Sequence, residues 1–318
     1  MRKIVGDEHL LIKCCAMYYE QYLTQEQISK ILGISRPTVS RLLKESREKE
    51  IIKVEIQNSY KKQYEIEQLE HELEQKFDLT EVIITNDGSD ENDLKKGLGK
   101  ATAKYLERTL KDSDIVGVSM GSTIKEISPY VSSGLKLDAT FVPLIGGVGQ
   151  IGIEIHPNQI VLDLVRAFGG RYKLLHAPAV ISDLTIKKNM EMEKSLSEVM
   201  AYVHRTTVAV VGIGAPTEKS TMLATGYFDH DQEKKIRDLH LVGDICLQLY
   251  DITGNYNLFS ENKKVFGIEL EDLKKIHRVV GVAGGIHKVE AIIGAIRGKY
   301  INVLVTNYSS AKKINEFV

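Results

Sequence analysis

Six short, continuously apolar runs alternate with helical segments beyond Leu79, and this alternation constrains the chain more than any other feature. The runs are Val82–Thr85, Ile115–Ser119, Thr140–Ile145, Val208–Gly212, Val279–Val282 and Ile301–Thr306, with helical stretches at Leu94–Leu110, Gln159–Phe168 and His287–Ile296. Strands that are apolar on both faces must be covered on both faces, and helices between them let successive strands run parallel. Residues 79–318 are therefore expected to form an α/β domain on a mostly parallel sheet. With 43% apolar residues, a chain of 318 can fill two cores at roughly 150 residues per domain. There is no internal repeat and no low-complexity tract.

The first sixty residues follow a different pattern. Thr24 stands three residues before Gln27, a capping-box signature that opens a helix running to a stop at Gly33. Ser35 can cap a second helix, in whose first turn Pro37 sits where a missing N–H costs nothing. Two helices joined by a turn of about three residues, with Ile28, Leu32, Ile34, Val39 and Leu42 inward, read as a helix-turn-helix. Ser29 supplies the small residue where the helices touch. The second helix keeps Arg36, Thr38, Ser40, Arg41 and Lys44 off the apolar face, and with Pro37 these form the candidate DNA-contacting set. Such groups meet phosphates and base edges in a major groove, and both arginines suit a bidentate pair with guanine. The plainer alternative is a three-helix packing module with solvated basic residues. The run Ile51–Ile56 looks like a strand, a small wing, so residues 1–56 read as a winged-helix-like domain.

Charge supports a local rather than a global attraction for nucleic acid. Forty-two Lys and Arg against 43 Asp and Glu leave a net charge of −1, divided as +2 over residues 1–60 and −3 over the rest. Cys14, Cys15 and Cys246 are an odd set without metal-ligand spacing, which argues for reduced thiols, no metal site and a cytoplasmic setting. Cys14 and Cys15 read as core. No run approaches the roughly 18 to 20 apolar residues that span a bilayer, and no cofactor is expected.

Residues 57–78 read as a linker and an amphipathic helix. Ile66, Leu69, Leu73 and Phe77 recur at spacings of three and four, a stripe that needs a partner surface. Either the second domain of the same chain or a copy from another subunit, as in a short coiled coil, can supply it.

Two glycine turns mark a candidate ligand site. Ile115–Ser119 delivers Met120-Gly121-Ser122-Thr123 to a helix start, where N–H groups and the two hydroxyls can hold an anion with help from the helix dipole. Gly146-Gly147-Val148-Gly149 closes the next strand. In Rossmann-like sheets ligands collect at such carboxyl ends.

Four segments then carry a family resemblance: Ile34-Ser-Arg-Pro-Thr-Val-Ser-Arg-Leu-Leu43, Gly117-Val-Ser-Met-Gly-Ser-Thr123, Val242-Gly-Asp-Ile-Cys246 and Ala283-Gly-Gly-Ile-His-Lys288. In this order, with Gly226-Tyr-Phe228 and Asp251-x-x-Gly254, they resemble motifs of the SorC family of bacterial sugar-responsive transcription regulators over essentially the whole chain. The resemblance implies a helix-turn-helix joined to an effector domain similar to glucosamine-6-phosphate deaminases and ribose-5-phosphate isomerases. It also implies a phosphorylated sugar as effector, double-stranded operator DNA as partner, and a homo-dimer or homo-tetramer. By that resemblance Gly121, Ser122 and Thr123 hold the phosphate, Asp244 accepts from sugar hydroxyls, and Lys288 offers a cation close by. Gly146, Gly147 and Asn158 join them as effector-binding candidates, whereas His156 and His176 read as structural loop histidines and Gly284 and Gly285 as turn formers.

An alternative is a sugar-phosphate isomerase or deaminase-like enzyme with an accessory helix-turn-helix. Enolisation needs a positioned base and a partner for the developing charge. Asp244 with Lys288 imitates that set, but no further acid–base group is assigned by motif, so a regulator rather than an enzyme is expected. Isoleucine at 145, where a lysine would reach the strand end, makes non-covalent binding the expectation there.

Overall fold

The computed structural model describes residues 8–53, 61–134, 136–149, 152–217, 222 and 226–317. The chain divides into two compact units, Met1–Tyr64 and Glu65–Val318.

In the first unit, helix α1 (Glu8–Cys15) continues as a π-helical turn over Ala16–Glu20 and is followed by α2 (Gln25–Leu32) and α3 (Arg36–Glu48). Both helix starts are the ones the sequence marks. Thr24 Oγ1 accepts from the Gln27 amide while the Gln27 side chain accepts from the Thr24 amide, and Ser35 Oγ accepts from the Thr38 amide. Gly33 closes α2 with φ 64°, and Ser29 Oγ donates across the turn to the Ile34 carbonyl. Leu11, Cys14, Cys15, Ile28, Val39, Leu42 and Leu43 form the core, with Leu32 and Ile34 half-buried against it. The expected wing does not appear over Ile51–Lys53, which carry no strand, and Val54–Ile56 lie outside the described residues.

The second unit is built on seven parallel strands in the order β1 (Glu81–Thr85), β9 (Val303–Asn307), β8 (Arg278–Val282), β5 (Val208–Gly212), β2 (Ile115–Val118), β3 (Thr140–Pro143), β4 (Arg171–Tyr172). Alternate residues feed two cores: Ala209 and Val211 of β5 join one, Val208 and Val210 the other. Helices α5 (Glu91–Thr109) and α6 (Pro157–Phe168) cover the second of these faces. The helix Val289–Arg297 is buried in the other. A separate antiparallel hairpin, β6 (Leu241–Ile245) and β7 (Gln248–Asp251), packs against that same helix. No helix among the described residues is long and apolar enough to cross a membrane.

Helix α4 (Lys61–Phe77) settles where its apolar stripe goes. Ile66, Leu69 and Leu73 are buried in the core of the second unit with Val82 and Ile84 of β1. Strand β1 is the sheet edge, and its outward N–H groups are not left open: Val82 donates to Glu74 Oε1 at 2.9 Å and Ile84 to Glu70 Oε1 at 2.7 Å. Burial holds the Glu70 carboxyl above its usual range even though the Ile84 amide favours the charge. Residues 65–77 therefore belong to the α/β unit rather than to a linker, and the stripe is used within the chain.

Removing these carboxylates leaves two partly buried amides without acceptors. Glu70→Ala with Glu74→Ala is expected to destabilise the protein by about 1–3 kcal/mol per lost acceptor. Urea unfolding checks this, and a midpoint equal to the wild type's would show that the helix is held by its apolar stripe alone.

Candidate functional site

Strand order reverses between β2 and β5: from β2 the chain adds β3 and β4 on one side, and later β5, β8 and β9 on the other. The crossovers leaving β2 and β5 depart in opposite directions, and a crevice opens between them at the carboxyl ends. A cavity of about 590 Å³ lies there, lined by Gly121, Ser122 and Thr123 after β2, by Gly212–Ala215 after β5, by Asp244 and Cys246 of the hairpin, and by Lys288 after β8.

One wall is a set of donors. Gly121 has φ 143°, a left-handed conformation that favours glycine, and its N–H reaches the Ile155 carbonyl at 3.4 Å. Among the described residues, neither the amides nor the hydroxyls of Ser122 and Thr123 are engaged in a hydrogen bond. These residues lead not into the helix expected from sequence but into a single 3₁₀ turn, Ile124–Glu126. Its dipole is small, so what the turn offers an anion is its individual N–H and O–H groups.

The opposite wall carries charge. Asp244 exchanges backbone hydrogen bonds with Gly214, an isolated bridge that ties the hairpin to the end of β5. A Cβ at 214 would sit 2.0 Å from Asp244 Oδ1, so glycine there leaves the carboxyl its place. Burial pushes the Asp244 carboxyl up to about 6, with the Lys288 ammonium and the Leu247 amide pulling the other way. Burial lowers Lys288, whose Nζ donates to the Ile213 carbonyl at 3.1 Å. Asp244 and Lys288 feel each other without forming a direct ion pair, so a polyol hydroxyl can donate to one and accept from the other. The hairpin turn Cys246-Leu247 has positive φ at both residues, the type I′ pattern without its usual Asn-Gly. This strained turn places Cys246 on the cavity, where burial raises its thiol well above the ordinary range.

The structure thus brings together Gly121, Ser122, Thr123, Asp244 and Lys288, and sets three other candidates apart. Gly146 donates to the Phe266 carbonyl and Gly147 to the Ala177 carbonyl, so their amides are spent on the fold. Asn158 clamps one residue, Nδ2 donating to the Leu175 carbonyl and Oδ1 accepting from its amide. His156 Nδ1 accepts from the Asn158 amide, the cap of α6. Gly285 donates to Asn307 Oδ1, a turn-forming role. Sequence reasoning missed Glu91, Lys95 and His287, which also line the cavity. Nothing local marks the first two, which stand at the start of α5 like any solvated pair. Among the described residues no group of three or more His, Cys, Asp or Glu is gathered to hold a metal.

In the first unit, Arg36, Pro37, Ser40, Arg41 and Lys44 are exposed along α3 and Thr38 is half-buried, its hydroxyl 2.8 Å from Ser35 Oγ. Arg36, Ser40 and Lys44, each four residues from the next, and Pro37 with Arg41 share the side of α3 away from Val39, Leu42 and Leu43.

Comparison with known proteins agrees with both units. Residues 61–315 match the family model described as a putative sugar-binding domain, and residues 11–71 match a Crp-like helix-turn-helix domain. The chain is 31% identical over 309 residues to the sorbitol operon regulator of Klebsiella pneumoniae, covering 96% of this chain and 97% of that protein. It is 30% identical over 308 residues to the deoxyribonucleoside regulator of Bacillus subtilis, with the same coverage. The crystal structure of the full-length sorbitol operon regulator SorC from Klebsiella pneumoniae matches with a TM-score of 0.76, over 97% of this chain and 99% of that one.

The buried carboxyl makes a testable demand. With its folded-state value near 6 against 3.8 ordinarily, Asp244 favours the folded state only when protonated, and that contribution is lost as pH rises through about 6. The loss is on the order of 3 kcal/mol at neutral pH. Asp244→Asn should therefore raise the melting temperature of the unliganded protein relative to wild type at pH 8, with the gain shrinking toward pH 4.5. A gain that is independent of pH would show that ionisation of Asp244 is not its source.

Proposed function

Because this chain belongs to the SorC family of bacterial sugar-responsive transcriptional regulators, we propose that a phosphorylated sugar seated in the β2/β5 crevice controls its occupancy of operator DNA. The chain is a DNA-binding regulator of a carbohydrate operon. The observation that carries the finer reading is the division of the crevice into two chemistries: open N–H and O–H donors at Ser122 and Thr123, and a buried carboxylate with a half-buried lysine opposite. A phosphomonoester wants donors and a polyol wants an acid acceptor with a donor beside it. In this reading binding is non-covalent, with isoleucine rather than lysine at 145 and the Lys288 ammonium engaged by the Ile213 carbonyl.

On the DNA side, Arg36 and Arg41 read base edges from α3, while Lys44 and the hydroxyls of Thr38 and Ser40 fix the helix on the phosphates. One helix-turn-helix reads one half-site, so the working form is at least a dimer, with half-sites about 10 base pairs apart or a multiple. The known relatives are regulators, which favours this reading over an isomerase or deaminase activity.

Two outcomes test it. Arg36→Ala or Arg41→Ala should each weaken specific operator binding by about 1–3 kcal/mol with little effect on non-specific DNA, measured by fluorescence anisotropy at fixed salt. A panel of sugar phosphates and their unphosphorylated parents should show stabilisation by one phosphorylated member in thermal melting, reduced in Thr123→Ala. Equal stabilisation by the parent sugar would remove phosphate from the reading.

A further inference from the structure

The effector reading leaves Glu91 and Lys95 without a role, and the role inferred for them rests on that reading. The two side chains are one turn apart at the start of α5 and meet at 2.6 Å, with the lysine 23% exposed and the glutamate 72%. The cation is sheltered in the crevice wall while its partner stands in water at the rim. Both line the cavity with Gly121, Ser122 and Thr123. One turn further along the same helix, a Cβ on Gly99 would sit 2.4 Å from the Glu126 carbonyl. That face of α5 is thus pressed against the short turn that succeeds the donor wall. Lys288, by contrast, is held by the Ile213 carbonyl and is felt most strongly by Asp244 on the other wall.

We propose that Lys95 is the cation that receives the phosphate monoester seated on the Ser122 and Thr123 donors beside the Gly121 turn, and that Glu91 is its placeholder until the ligand arrives. An i,i+4 pair with an exposed carboxylate is weak, because water competes for both partners. An ammonium–phosphate contact inside the crevice is charge-assisted and better shielded, so the dianion displaces the rim carboxylate. An unphosphorylated polyol offers Lys95 no charge to exchange for the carboxylate and leaves the pair closed. The pair therefore works as a filter, selecting sugar monophosphates over neutral sugars, while Asp244 and Lys288 read the hydroxyls. Lys95 is the specificity-determining residue of the site and Glu91 sets its threshold.

The test is calorimetric titration of the full-length protein with inorganic phosphate and with the pairs ribose 5-phosphate and ribose, glucose 6-phosphate and glucose, and glucitol 6-phosphate and glucitol. Lys95→Met should weaken inorganic phosphate and the phosphorylated member of the binding pair by about 10- to 100-fold and leave the parent sugar unchanged. Lys95→Arg should retain the preference, and Glu91→Gln should tighten the phosphorylated member severalfold by removing the competitor. A wild-type preference for phosphate that persists undiminished in Lys95→Met, an equal loss for both members of the pair, or a weakening in Glu91→Gln overturns the role of Lys95 and leaves the effector reading standing. No preference in the wild type, with no binding of inorganic phosphate, overturns both.

Discussion

A parallel strand cannot return directly to its neighbour, and the rest of this molecule depends on that restriction. Each crossover must travel over a face of the sheet, so a sheet that grows outward in both directions from β2 and β5 leaves a gap where the connections part. The residues of the candidate site in the second unit sit at that gap. The donors after β2, the Gly212–Ala215 segment after β5 and the lysine after β8 come from widely separated positions in the chain, and only the strand order makes them neighbours. The hairpin of β6 and β7 reaches the site from outside the sheet, anchored there by the mutual backbone bonds of Asp244 and Gly214.

The N-terminal unit was legible because its signals are local. Capping boxes, a glycine stop and a proline in the first turn act over three or four residues, and Thr24, Gly33 and Ser35 do in the structure what their spacing implies. The strands were legible for a related reason, since doubly buried runs are apolar at every position. Strand limits shifted by a residue or two where a turn took over, as at Ser119 and Ile145, whose neighbouring backbone groups bond outside the regular ladder.

Tertiary accounting decided what the sequence left open. Gly146, Gly147 and Asn158 have the right chemistry for a ligand, but their hydrogen-bonding groups are already committed to Phe266, Ala177 and Leu175. A motif cannot show that a donor is occupied. The converse holds for Lys95, which reads as an ordinary lysine on an exposed helix until the fold turns it into the crevice. The hairpin escaped notice because its turn is Cys246-Leu247, two residues with intrinsic reluctance toward positive φ, where a sequence reader looks for Asn-Gly. Helix α4 remained ambiguous for a different reason: an amphipathic stripe specifies that a partner exists, and only the edge of β1, with amides the sheet does not pair, specifies which.

The strained turn and the buried acid belong together. A desolvated carboxylate inside a protein is unfavourable, and so are two left-handed non-glycine residues in succession. Both occur within four residues of each other, at a place where the backbone is pinned to β5. Local rules are broken where function imposes a competing demand, and the demand that fits the proposed effector site is an acceptor that water does not already satisfy. A solvated aspartate gains little by exchanging water for a sugar hydroxyl. Asp244, desolvated by the fold and not paired with Lys288, would gain more under the proposed reading, because a ligand hydroxyl would add hydrogen bonds that folding withheld. Under the proposed reading, the cost of burying Asp244 in the unliganded protein is what an effector of matching chemistry would recover on entering the crevice.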